Sequence, residues 1–163
     1  MATDLAIGIV QRCTARGFTI AVAESLTGGL LVASLVDVAG ASAVLNGGVV
    51  AYNTALKRTI LGVDAALLAE KGAVDPDVAK QMATGVRQRL AIDGTPATIG
   101  IATTGVAGPD PQDGHPVGTV FLGLAVEGRV VAVPLLLSGS RDEIRSAVVY
   151  ESLLQLTKLI ESL

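Results

Sequence analysis

The 163-residue sequence predicts a layered α/β domain built on a mixed sheet, and three observations carry that prediction. Half of the residues are hydrophobic but only 2% are aromatic, with 19 glycines, a composition suited to small aliphatic side chains between closely set layers. Strand-like runs are followed twice by a polar turn and a helical pattern, as in strand–helix units. Two later β-rich runs meet at a two-residue turn, which adds an antiparallel hairpin and makes the sheet mixed. The length suits one compact domain over residues 1–163, able to bury a core without a disulfide or a structural metal.

Taken in order, Leu5, Ile9 and Cys13 stand one turn apart on a first amphipathic helix that stops at Gly17, which places Cys13 in the core. Phe18 to Ala23 reads as a short buried strand. Glu24-Ser25-Leu26 is then a strand-to-helix turn, and Thr27-Gly28-Gly29 opens an apolar helix through Val38. Asn46 to Tyr52 is a second strand, and Asn53 is the N-cap of a helix that carries Lys57 and ends near Gly62. Asp75-Pro76 starts the next helix, whose face of Val78, Met82 and Val86 continues toward Gly94, with Arg87 and Arg89 on its solvated side. Ala97 to Thr103 is a third strand, and the aperiodic loop from Thr104 to Pro116 has the length of a functional or mobile segment. Gly118 to Val126 and Arg129 to Leu137 form the hairpin about Glu127-Gly128. From Ser140 onward, Val149, Leu153, Leu156, Ile160 and Leu163 draw one stripe on a long terminal helix, suited to covering the sheet or to mediating a dimer. No linker, low-complexity segment or internal repeat interrupts the chain.

Several function classes are disfavoured. A net charge of −3, a pI near 5.0 and the absence of Trp offer neither a polyanion footprint nor stacking platforms, so nucleic acid is not an expected partner. One cysteine and one histidine make neither an intramolecular disulfide nor a zinc cluster, and Asp110-Pro111-Gln112-Asp113-Gly114 lacks the alternating ligands of a calcium loop, so no metal or other cofactor is expected. An acidic residue near the N-terminus and apolar runs that are short or broken point to no leader or membrane segment, and a cytoplasmic protein is the expectation.

Polar, glycine-rich turns fall at three strand ends, Glu24 to Gly29, Tyr52 to Lys57 and Thr103 to Pro109, where open α/β sheets bind ligands. Backbone N–H groups at Thr27, Gly28 and Gly29 suit a phosphate or an oxyanion, or they serve only a helix that packs on the sheet. Ser25 is a nucleophile candidate beside them, in need of a base. His115 lies in the flexible loop without an orienting third residue; Lys57, about one turn into its helix, is the other candidate, with the helix dipole disfavouring its ammonium, or it is an exposed helix lysine beside Arg58. Thr103, Thr104, Gly105 and Gly108 suit an oxyanion or phosphate contact, or a plain strand-end turn. Arg141 and Arg145, one turn apart, suit bidentate phosphate binding, or surface pairing with Asp142 or Glu143.

Four ordered motifs carry a resemblance over essentially the whole chain: Ala23-Glu24-Ser25-Leu26-Thr27-Gly28-Gly29; Gly47-Gly48-Val49-Val50-Ala51-Tyr52-Asn53 with Lys57; Thr104-Gly105-Val106-Ala107-Gly108-Pro109; and Pro116-Val117-Gly118-Thr119-Val120. Together they closely resemble the CinA C-terminal domain family. The resemblance implies a three-layer α/β/α sandwich around a mixed, mainly parallel five-stranded sheet. It implies hydrolysis of nicotinamide mononucleotide to nicotinic acid mononucleotide and ammonia by a metal-free serine amidase, with Ser25 and Lys57 at the catalytic pair. It also places Tyr52, Thr104 and an arginine of the 139–145 stretch in the substrate site. Two departures stand out, His115 where the family usually has a basic residue before Pro-Val-Gly-Thr, and Asn53-Thr54-Ala55-Leu56 after Tyr52. The additional N-terminal domain of fused members is not expected, nor is a pyrophosphatase activity. A small-molecule nucleotide substrate and a homo-oligomer, with a dimer favoured, complete the expectation. Its rivals are a silent nucleotide-binding module, an amidase on another amide, and an assembly protein using the terminal stripe.

Overall fold

The computed structural model describes residues 1–163. Its elements, in chain order, are α1 (Ala2–Arg16), β1 (Ile20–Glu24), α2 (Leu30–Val36), a 3₁₀ turn (Ala41–Ala43), β2 (Leu45–Val50), α3 (Thr54–Thr59), α4 (Ala65–Lys71), α5 (Pro76–Arg89), β3 (Ile99–Gly105), β4 (Thr119–Val126), β5 (Arg129–Leu136) and α6 (Arg141–Glu161). No helix is long and apolar enough to cross a membrane.

The five strands form one sheet in the order β2-β1-β3-β4-β5. β1 pairs parallel with β2 and with β3, whereas β4 runs antiparallel to both β3 and β5, so four strands share one direction. β1 therefore sits at a switch point: the chain leaves it toward β2 on one side and later returns to β3 on the other. In such a sheet the crevice lies beyond the carboxyl ends of the strands at that point, and Ser25 is the first residue past β1.

Alternation along β1 separates the layers. Ile20 and Val22 face a core shared with Ile9 and Cys13 of α1, Leu31 and Leu35 of α2, and Leu153, Leu156 and Ile160 of α6. Ala21 and Ala23 face the other core, with Val78, Met82 and Val86 of α5. The second interface is lined by small residues because α5 lies so close. A Cβ on Gly100 of β3 would stand 2.0 Å from the Ala83 carbonyl oxygen, and one on Gly123 of β4 2.0 Å from that of Ala79. This close approach is the physical reason that the composition is rich in Gly and Ala and poor in aromatics. A third cluster, Leu26, Ala107, Val120, Leu122, Ile144 and Val148, fills the end of the sheet beside the crevice.

Local chemistry explains the ends of the elements. Gly17 closes α1 in the left-handed region at φ 67°, and the Asp75 carboxylate caps α5 by accepting from the N–H groups of Asp77 and Val78. Ser140 and Glu143 form a reciprocal capping box at the start of α6. Several boundaries differ from the sequence-based expectation. β1 starts at Ile20, and residues 25–28 form a turn, so that α2 begins only at Leu30. α5 ends at Arg89, well before Gly94, and β3 runs on to Gly105. α4 was not anticipated: it has no buried residue and hence no apolar periodicity to betray it. The stripe of α6 is used internally, with Val149, Leu153, Leu156 and Ile160 buried, while Leu163 stays exposed.

Candidate active site

Ser25 and Lys57 meet in the crevice although they come from different turns. The Ser25 N–H donates to the Thr103 carbonyl at 3.0 Å, which carries the end of β1 alongside β3. Asn53 caps α3 by accepting from the Ala55 N–H at 2.9 Å, and this start directs Lys57 inward rather than to solvent. Lys57 Nζ lies 3.0 Å from Ser25 Oγ and donates to the Ala51 carbonyl at 2.8 Å. The lysine is 1% exposed and forms no ion pair. Burial pushes its pKa down from 10.5 to about 8, against a smaller opposing effect of the Asp113 charge. The cause is desolvation and not the helix dipole invoked from the sequence; α3 has only six residues, and Lys57 already lies in its last turn.

A cavity of about 150 Å³ opens onto this pair. Tyr52, Thr104, Gly105, Gly108 and Arg141 line it, so the structure gathers these candidates with Ser25 and Lys57 around one space. Arg141 bridges its mouth, donating to the Gly108 carbonyl at 2.6 Å and to Tyr52 Oη at 3.1 Å. Thr104 is 1% exposed and donates its hydroxyl to the Ala73 carbonyl at 2.6 Å, leaving its oxygen lone pairs as the free capacity.

The remaining candidates stand outside the cavity wall. Thr27 is fully buried, with Oγ1 2.8 Å from Thr103 Oγ1. The Gly28 N–H donates to the Ser25 carbonyl at 3.1 Å, and the Gly29 N–H donates to Glu24 Oε2 at 3.0 Å. Both glycine N–H groups offered to an anion by the sequence are thus engaged within the protein. Arg145 likewise donates to the Leu26 carbonyl at 2.9 Å and the Thr27 carbonyl at 3.2 Å. It therefore does not share a phosphate fork with Arg141, because the two guanidiniums diverge to different loops.

Sequence reasoning missed several participants. Thr54, Ala73, Val74, Asp110 and Gln112 also line the cavity. Ala73 and Val74 carry no chemical signature, since they contribute shape and a carbonyl. Asp113 accepts from the Ala73 N–H at 2.9 Å, tying the 109–116 loop to the wall. Glu24 had a readable signal, a carboxylate ending an otherwise apolar run. His115 points elsewhere, edge-on to Phe121 at 6.2 Å between ring centroids. A larger, shallower groove of about 910 Å³ lies along α5 at Asp64, Lys80 and Arg89 and contains none of the candidates. No group of three or more His, Cys, Asp or Glu side chains gathers anywhere in the fold.

The fold recurs in known proteins. The family model described as CinA C-terminal domain matches residues 2–160. A CinA-like protein of Frankia casuarinae is 51% identical over 138 residues, covering 85% of this chain and 31% of that protein. A CinA-like protein of Gemmatimonas aurantiaca is 49% identical over 145 residues, covering 87% of this chain and 32% of that protein. The chain thus spans about a third of the length of these curated relatives. Among solved structures, the competence/damage inducible protein CihA of Agrobacterium tumefaciens superposes with a TM-score of 0.90 at 37% identity, covering 97% of this chain and 94% of that one. A CinA superfamily protein of Klebsiella pneumoniae superposes with a TM-score of 0.92 at 30% identity, covering 100% and 99%. The chain belongs to the CinA C-terminal domain family.

Proposed function

We propose that the protein is an amidohydrolase that converts nicotinamide mononucleotide to nicotinic acid mononucleotide and ammonia, with Ser25 as nucleophile and Lys57 as base. The observation that carries this reading is the buried 3.0 Å approach of Lys57 Nζ to Ser25 Oγ, by a lysine that has no ion-pair partner and whose pKa is lowered to about 8. A lysine near neutrality in its titration is a competent proton acceptor, and a serine needs one.

In this reading neutral Lys57 takes the Ser25 proton as Oγ bonds to the carboxamide carbon, and the carbonyl electron pair moves onto its oxygen. Collapse of the tetrahedral species breaks the C–N bond, and the Lys57 ammonium returns the proton to the nitrogen, which leaves as ammonia. Water then attacks the acyl ester while Lys57 accepts its proton, and the Ser25 oxygen leaves with that proton restored. The oxyanion needs donors near Ser25. The N–H of Leu26, which lines the cavity, donates to no group in the protein and takes this role in place of those of Gly28 and Gly29, which are engaged within the fold. The cavity of about 150 Å³ is smaller than the roughly 300–1,000 Å³ that encloses a whole drug-sized ligand. It suits the ring and its amide, with ribose and phosphate at the mouth by Tyr52, Gly108 and Arg141.

Product analysis on a panel of nicotinamide mononucleotide, nicotinamide riboside and free nicotinamide tests the substrate. Nicotinic acid mononucleotide as the preferred product supports the reading. Turnover confined to another amide shifts the substrate, and tight binding of the nucleotide without turnover identifies a silent binding module. The reading also carries a cytoplasmic location, where pyridine nucleotides are salvaged, and a homodimer. With the α6 stripe buried, the dimer would form at the β2 edge, where Leu30, Val50 and Tyr52 are 40%, 43% and 60% exposed beside the mouth of the cavity.

A further inference from the structure

Two charged side chains hold the segment that carries Ser25: Glu24 binds N–H groups at the start of α2, just past the turn, and Arg145 binds two carbonyls of the turn itself. Glu24 is 0% exposed and meets no cation; its oxygens accept from the N–H groups of Gly29 at 3.0 Å, Leu31 at 3.1 Å and Val32 at 2.8 Å. A buried carboxylate is tolerated when charge-assisted hydrogen bonds and a helix dipole replace water. Arg145 reaches across from α6, with Nε on the Leu26 carbonyl and Nη2 on the Thr27 carbonyl. Its side chain is 25% exposed, and its contact with Asp142 is a loose 3.6 Å to a carboxylate that is 90% exposed.

A peptide unit is planar, so fixing a carbonyl also fixes the N–H of the following residue. The Ser25 carbonyl is held by the Gly28 N–H, which sets the direction of the Leu26 N–H. The Leu26 carbonyl is held by Arg145, which sets the direction of the Thr27 N–H. These are the two N–H groups of the turn without a partner in the protein. We propose that Arg145 and Glu24 are positioning residues for the nucleophile, which hold the turn so that Ser25 Oγ stays at Lys57 Nζ and the Leu26 and Thr27 N–H groups stay free, and that Arg145 is not a phosphate ligand. The proposal rests on the Ser25–Lys57 reading, but its test does not depend on the identity of the substrate.

The experiment compares wild type with Arg145→Lys and Glu24→Asp, each confirmed as folded by its thermal transition. The readouts are steady-state hydrolysis of nicotinamide mononucleotide and nicotinamide riboside, and the rate at which phenylmethylsulfonyl fluoride sulfonylates Ser25, followed by intact mass and peptide mapping. A misplaced nucleophile lowers kcat by about 10- to 100-fold on both substrates with KM nearly unchanged, and slows sulfonylation similarly. A phosphate ligand behaves otherwise: Arg145→Lys would raise KM for the mononucleotide alone and leave sulfonylation at the wild-type rate, and that result overturns the proposal. Wild-type Ser25 that resists the reagent overturns it as well. If wild type is sulfonylated at Ser25 but hydrolyses neither substrate, the substrate reading fails while the sulfonylation rates still decide the positioning role. The two variants are independent, so one that fails to fold leaves the other to decide.

Discussion

Lys57 is 1% exposed and forms no ion pair, so folding takes its ammonium out of water with only partial compensation from the Asp113 charge. Its folded pKa of about 8 lies below the ordinary 10.5, which means that the unfolded chain holds the proton more tightly. Stability therefore rises with pH from about 8 to 10.5, and below 8 the whole penalty, about 3 kcal/mol, is present. Lys57→Met, which removes the charge while keeping the length of the side chain, is expected to raise the thermal midpoint at pH 7 by several degrees and to abolish turnover; calorimetry beside an activity assay checks both. A lowered midpoint would contradict this account of the site. The same pKa predicts that kcat/KM climbs with pH through about 8, as Lys57 loses its proton. Asp113 opposes that loss, so Asp113→Asn is expected to move the ascending limb to lower pH, as a pH–rate profile would reveal. At this scale the sequence exposed residue types but not their partners. Ser25 and Lys57, 32 positions apart, were readable as candidates for a nucleophile and a base, and only the family resemblance paired them. Glu24 and Arg145 were not readable in their roles, because both act on main-chain groups that leave no mark in the order of side chains.

The elements that were legible are those with a buried face and a cap. α1 shows Ile9 and Cys13 one turn apart and stops at a glycine, α5 opens on Asp75-Pro76, and β4 and β5 meet at Glu127-Gly128. α4 has neither a buried residue nor a stripe, so its Asp64 cap was the only cue. The apolar run after Thr27 extended the expected α2 too far, since the start of α2 is set by Glu24, which accepts from the N–H groups of Gly29, Leu31 and Val32, and by Gly29 at φ 102°, both tertiary or conformational facts. The interface of α5 with the sheet makes its own prediction. Gly123→Ala places a methyl against the Ala79 carbonyl oxygen and forces α5 outward, at a cost of about 1–3 kcal/mol. Urea unfolding should show a lower midpoint with an unchanged slope. An unaffected midpoint would mean that α5 yields to the added methyl more easily than the closeness of the Ala79 carbonyl to Gly123 implies.

Across the whole molecule, chain order and sheet order together locate the crevice: β1 has parallel neighbours on both sides, and the ends of β1 and β3 and the turn after β2 supply its walls. The sequence offered all three polar turns; their convergence depended on the strand order β2-β1-β3, which no local pattern encodes. The terminal stripe was legible, though not whether it faced the sheet or a second copy; α6 buries it against the first core. If the β2 edge joins two protomers, light scattering will report a dimer, and Val50→Lys will shift it toward monomer; an unchanged assembly would exclude that edge. The central claim concerns Ser25 and Lys57 acting together on a nucleotide amide, and ammonia release from nicotinamide mononucleotide by wild type, Ser25→Ala and Lys57→Met tests it most directly. The account predicts stoichiometric ammonia and nicotinic acid mononucleotide from wild type, and at least a thousandfold loss, on the order of that seen when a triad member is removed, in both variants; wild type without ammonia, or Ser25→Ala with undiminished turnover, would contradict it.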